Sequence, residues 1–161
     1  MSIANLDSLT CSIARTVATV GDPWSLMILK ELFLKNCRFG GIQAMIGISP
    51  HLLSVRMRTL ESAGIVCRHT YLERPKRYEY RLTEKGIDLW PLIITLKEWG
   101  ERWHEWPSGA PLQLRHKSCG HEMQLKLACS CCGDVVGPRD VTSEMSGEMV
   151  VQRQAMAIAQ N

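Results

Sequence analysis

No stretch of this 161-residue chain is apolar for the roughly 18 residues that a membrane-crossing helix requires, so no bilayer span is expected. The opening MSIANLDSLT lacks the basic-then-apolar order of a secretory signal. A cytoplasmic location is therefore expected, where a reducing environment keeps the seven cysteines as thiols or metal ligands rather than disulfides. Internal repeats and low-complexity tracts are missing too. With 45% hydrophobic and 22% charged residues the composition is that of an ordinary globular protein, which excludes global disorder. The chain also lacks H-E-x-x-H, a glycine-rich phosphate loop and G-x-S-x-G, so nothing in it signals an enzyme.

The net charge of +3 says little, but its placement says more. Residues 49–85 hold eight Lys/Arg against four acids, +4, while the rest of the chain holds eleven bases and twelve acids, −1. A concentrated excess of this kind suits a surface facing a polyanion, the alternative being a merely solvated face.

The pattern of apolar residues and breakers gives the element order. A first helix is expected over about 9–19. Gly21-Asp22-Pro23 ends it and starts a second, buried helix from Trp24 to Leu34, with Asp22 as N-cap and Pro23 where a missing N–H costs nothing. A short helix from Phe39 to Ile46 stops at Gly47, and Ser49-Pro50 repeats the cap-plus-proline start. The helix 50–63 carries Leu53, Met57 and Leu60 as an inward stripe; Trp24, Ile28 and Leu32 complete the expected core. Runs 65–72 and 77–82, joined by Glu73-Arg74-Pro75-Lys76, read as a hairpin with a charged tip. A single helix from Thr83 to about Trp106, roughly 35 Å long and kinked at Pro91, is expected to follow. Leu89, Leu92, Leu96, Trp99, Trp103 and Trp106 recur along it at steps of three and four. Four of the five tryptophans lie in this element, more than a small domain covers, so the stripe reads as a homodimer seam.

Short helix, glycine turn, capped helix and basic hairpin make the order of a winged helix-turn-helix. The capped helix would enter a major groove N-terminus first. His51, Ser54 and Arg58 then suit base edges, Val55 a thymine methyl, and Arg74, Lys76 and Arg77 the neighbouring phosphate backbone or minor groove. Residues 11–106 resemble the HxlR family of winged-helix regulators, relatives of the MarR type. The resemblance rests on Cys11, DPWSLMILKEL, RFGGI, GISPHLLSVRMRTLESAGIV, YEYRLTEKG and LWPLIITLKEW. It departs at Gly40-Gly41 and at Asp22. What the resemblance implies is a dimer held by its terminal helices, binding a pseudo-palindromic double-stranded DNA operator, with repression the default. It also assigns Ser49, with His51, Ser54 and Arg58, to bases and Arg56, with the wing, to the backbone, and places Arg38 at a family-typical arginine position, touching phosphate or forming a salt bridge. Cys11 stands where members often sense oxidants or electrophiles, so a redox or small-molecule effector is implied; the alternative for Cys11 is core packing. Cys37 and Cys67 read as packing residues.

Beyond the Pro107–Pro111 linker, His116-x-x-Cys119-Gly120 and Cys129-x-x-Cys132-Gly133 form two similar knuckles. His116, Cys119, Cys129 and Cys132 make a closed Cys₃His set suited to one structural Zn²⁺. His121 and Cys131 are spare donors, and a ribbon that folds without metal is the alternative.

The expected fold is thus mainly α (α+β). It comprises a winged helix-turn-helix for DNA binding and dimerisation over 1–106, a linker at 107–111, a zinc-ribbon-like hairpin at 112–138 and a helical or mobile tail at 139–161. The expected function is sequence-specific transcriptional regulation; the competing one is a protein-interaction adaptor that uses the ribbon, with the winged helix as scaffold.

Overall fold

The computed structural model describes residues 6–159. Among the described residues seven helices and one hairpin follow in order: α1 Ser12–Val20, α2 Pro23–Phe33, α3 Phe39–Ile46, α4 Pro50–Ser62, β1 Val66–Glu73, β2 Lys76–Leu82, α5 Glu84–Ile87, α6 Trp90–Trp103 and α7 Gly147–Ile158. They form a winged helix of α+β class. The chain divides into two compact units, one running to Trp90 and resuming at Met145, the other spanning Pro91–Glu144.

In the first unit the expected caps are present. The Asp22 carboxylate accepts the Ser25 N–H at 3.1 Å and starts α2, and the Ser49 hydroxyl accepts the Leu52 N–H at 3.3 Å and starts α4. Between α3 and α4 the chain turns at Gly47 with φ +69°, a left-handed conformation that glycine adopts without a Cβ clash. Ile28 and Leu29 of α2, Ile42 of α3, Leu53, Met57 and Leu60 of α4, and Ile65 are all essentially inaccessible and form one core. Trp24, expected in that core, is half-exposed. In its place α2 buries Leu29 and the acidic Glu31.

The hairpin is antiparallel, with Val66 opposite Leu82 and Glu73 opposite Lys76. Both strands reach one residue nearer the tip than expected, leaving only Arg74 and Pro75 there. The register shifts between Thr70 and Leu72, so Tyr71 is the extra residue of a bulge, a device that re-aims a side chain. The Tyr80 N–H donates to Cys37 O at 2.8 Å, fastening the wing to the turn before α3.

Thr83 caps α5 by accepting the Gly86 N–H at 3.2 Å. Gly86 sits so close to the Ile65 carbonyl that no Cβ fits there. The single helix expected over 83–106 is two, broken at Asp88-Leu89. Pro91 lacks the N–H that would continue α5, yet its fixed φ suits a first turn, so it starts a helix instead of kinking one.

The second unit consists of α6 and two small turns, marked by the bridges Arg115↔Glu122 and Ala128↔Val135. The tail is helical over Gly147–Ile158. It belongs to the first unit: Gln152 accepts the Thr10 N–H at 2.7 Å and donates to Ser8 O at 3.4 Å. No helix among the described residues is long and apolar enough to cross a membrane.

Candidate nucleic-acid interface

Helix α4 has two faces. Leu53, Met57 and Leu60 are buried, while His51 and Arg58 are exposed and Ser54 and Val55 half-buried. Ser49 is exposed at the N-terminus; its hydroxyl accepts within the cap and still has a proton to donate. Arg58 donates its Nε–H to Ser54 O at 3.3 Å, which lays the side chain along the helix. Its Nη nitrogens donate no hydrogen bond among the described residues, so the guanidinium keeps a free edge. The helix N-terminus adds partial positive charge on the same element.

Arg56, expected at the phosphate backbone, is paired within the fold. Its Nη2 lies 2.9 Å from Asp22 Oδ2, in a pair whose side chains are only 31% and 20% exposed. The Arg56 guanidinium is thereby tied to the start of α2. Its position in α4 places it at the flank between the inward and outward faces, and Asp22 is within reach there.

The wing presents Arg74, Lys76 and Arg77, all exposed, at its tip and on its second strand. Below them is an arrangement that spacing alone did not reveal. The Arg38 guanidinium stacks 4.9 Å from the centre of the Tyr71 ring, the tyrosine of the bulge. Arg68 stands 4.9 Å from the Tyr78 ring, which the Lys76 ammonium approaches to 5.9 Å. A groove of about 570 Å³ runs between Arg38–Gly41 and the wing, lined by Tyr71, Lys76, Arg77 and Tyr78. The three tyrosines of the chain all fall in the basic window, the only sequence signal that could have pointed here. Arg81, by contrast, is neutralised by Glu79 on its own strand.

The remaining cysteines fall into distinct settings. Cys67, expected as packing, is half-exposed with its Sγ 3.3 Å from His69 Nε2. Cys11 is half-buried at the N-cap position of α1, and its neighbour Arg15 donates to Leu9 O at 3.0 Å. In the tail, His116 Nδ1 and Cys119 Sγ approach to 3.4 Å. The backbone amides of Cys132 and then Cys131 hold the Cys129 thiol below its usual pKa, with the Cys132 side chain adding to the effect. The four expected ligands therefore stand as two pairs; among the described residues no three His, Cys, Asp or Glu side chains converge on one point.

Seam residues Leu92, Leu96, Trp99 and Trp103 are exposed along α6, Trp99 and Trp103 by 60% and 67%. Ile93 and Ile94 are buried. Leu89 lies outside α6, in the break before it, and is half-buried.

Residues 19–107 match the family of HxlR-like helix-turn-helix proteins. A HTH-type transcriptional regulator of Mycobacterium tuberculosis (strain H37Rv), Rv3095, is 41% identical over 133 residues, 83% of this chain and 84% of its own. One from Synechocystis is 38% identical over 96 residues, 59% of this chain and 71% of its own. The mycobacterial match is longer than the family span, so the likeness extends outside the winged helix. Among solved structures, the transcription-factor candidate PA1607 superposes with a TM-score of 0.77 at 28% identity, covering 87% of this chain and 98% of that one. The redox regulator HypR in its oxidised form superposes at 0.55 with 30% identity, covering 60% of this chain and all of its own. The family match, the mycobacterial relative and the two-faced α4 beside a basic wing agree: the chain belongs to the HxlR-like helix-turn-helix family of transcriptional regulators.

Proposed function

We propose that this DNA-binding transcriptional regulator works as a homodimeric repressor that reads a pseudo-palindromic operator. The observation that carries the reading is the outer face of α4: Ser49, His51, Ser54, Val55 and Arg58 lie on one capped helix beside the basic wing. Arg58 pairs with a guanine through its free Nη edge; His51, Ser54 and Ser49 meet neighbouring base edges, and Val55 meets a thymine methyl. Arg74, Lys76 and Arg77 track the adjacent phosphates, adding affinity without sequence preference. Arg38, stacked on Tyr71, braces the wing against α3 and directs its charge to the same backbone. The exposed stripe Leu92, Leu96, Trp99 and Trp103 supports pairing through α6, because large aromatics anchor interfaces. Control by an oxidant or electrophile at Cys11 is supported by its partial exposure and by the likeness to HypR.

Selection of bound duplexes from a random pool tests this. The expected product is an inverted repeat whose half-sites lie one turn, about 34 Å, apart. A pool with no enriched sequence, and binding without steep salt dependence, would instead favour an adaptor whose winged helix is a scaffold.

A further inference from the structure

Residues 112–144 hold a defined path without one buried side chain. A segment of this size cannot be ordered by apolar packing alone and calls for a staple. What it has instead is one backbone device used twice. In the first turn the Gly120 N–H donates to His116 O at 2.8 Å, Gly120 takes φ +72°, and Arg115 bridges Glu122. In the second the Gly133 N–H donates to Cys129 O at 2.9 Å, Gly133 takes φ +80°, and Ala128 bridges Val135. Corresponding positions of the two turns carry the same chemistry: a donor at the first residue, a thiol three residues on, then the left-handed glycine.

The first pair is already at a metal ligand's spacing. Tetrahedral Zn²⁺ with Zn–N of about 2.05 Å and Zn–S of about 2.3 Å sets a ligand–ligand edge of about 3.6 Å. His116 Nδ1 and Cys119 Sγ are 3.4 Å apart, and the Ser118 hydroxyl, 3.0 Å from the same nitrogen, would give way to the ion. Residues 124–126, the connection between the turns, carry no strand pairing; the Leu125 N–H donates to the Glu98 carboxylate, and the turns can fold toward each other about that anchor.

We propose that His116, Cys119, Cys129 and Cys132 bind one Zn²⁺ per chain, and that binding closes the two turns on the ion. Three thiolates and an imidazole are a soft donor set that favours Zn²⁺ over hard cations. Each thiol surrenders its proton on ligation. Four protein ligands leave no open position, which makes the ion a structural cross-link rather than a catalytic centre. The inference stands apart from the DNA-reading function, since none of the four residues lies in α4 or the wing.

The test uses the full chain, purified under reducing conditions without chelator and then offered Zn²⁺. Elemental analysis is expected to give about one zinc per chain for the unaltered protein and for Cys131→Ser. Background levels are expected for Cys132→Ser and His116→Ala. Co²⁺ in place of Zn²⁺ should give the visible bands of a tetrahedral site with thiolate-to-metal charge transfer. In the unaltered protein, chelation should speed amide exchange across 112–138 and leave 23–62 unchanged, a readout that does not depend on any variant folding. Absence of zinc from the unaltered chain would overturn the proposal. So would equal zinc in Cys132→Ser, loss of zinc in Cys131→Ser, or exchange indifferent to chelation.

Discussion

Arg56 of α4 and Asp22 of α2 meet at 2.9 Å and clamp the recognition helix to the N-terminus of the helix beneath it. Asp22 also caps α2 through the Ser25 N–H, so one carboxylate orients two helices. The clamp gives a physical reason for aspartate at a position where the sequence departs from its family. The Arg56 Nε is enclosed without a partner, so the guanidinium depends on Asp22 for its compensation. Arg56→Ala is expected to lower stability by about 1 kcal/mol, with positive coupling to Asp22→Ala in a double-mutant cycle. The salt slope of DNA binding should stay as it was. A slope reduced by about 1 would return Arg56 to the phosphate contacts.

Much of this site was legible in the chain because capping and periodicity are local. Asp22-Pro23, Ser49-Pro50 and Gly47 each encode their own geometry, and Leu53, Met57 and Leu60 fall on one side of any helix drawn through them. The Arg56–Asp22 pair was not legible because the partner lies 34 positions away, and charge at a helix flank looks the same whether it faces DNA or a buried-edge aspartate. The stacking of Arg38 on Tyr71 was invisible for a similar reason: it depends on a bulge that one extra residue inserts in β1. The break before α6 was underestimated because Pro91 can either kink a helix or start one, and its neighbours do not decide between them.

Arg58→Ala should weaken binding to the selected operator by about 1–3 kcal/mol and relax the preference at one position of each half-site. The free Nη edge of Arg58 on the exposed side of α4 motivates this. Repeating the duplex selection with the variant is the check; an unchanged consensus would remove Arg58 from the base-reading set.

Lys76→Ala should act differently. Lys76 is exposed beside Tyr78 on the wing, away from the outer face of α4. Affinity for operator and random duplex should fall together, and the salt slope should drop by about 1. Loss confined to the operator would show that the wing reads sequence.

Leu96→Glu combined with Trp99→Glu should yield a monomer that no longer binds the full operator. Both side chains are exposed on α6, Trp99 by 60%, so the exchange leaves little of the monomer's core disturbed. In the proposed dimer two recognition helices one DNA turn apart share the binding, and a monomer keeps only one of them. Sedimentation reports the assembly and near-unchanged melting confirms that the variant folds. A dimer that survives both glutamates would move the interface away from α6.

Glu31 gives the fold an acid-sensitive point. Burial alone would raise its pKa, but hydrogen bonds from Lys30 and Asn36, with the Lys30 charge, outweigh that and leave it lowered. The Lys30 Nζ lies 2.6 Å and the Asn36 Nδ2 2.7 Å from its carboxylate oxygens. A group whose pKa is lower folded than unfolded stabilises the fold fully above the unfolded value, about 4.3 for glutamate. That contribution is lost as the pH falls from the unfolded value through the lower, folded one. Denaturant midpoints taken between about pH 6 and pH 3 should therefore decline on the acid side, and Glu31→Gln should shallow the decline. Asn36→Ala should shrink the contribution without abolishing it, because Lys30 remains. An acid limb identical in Glu31→Gln and the unaltered chain would assign the pH dependence to other carboxylates.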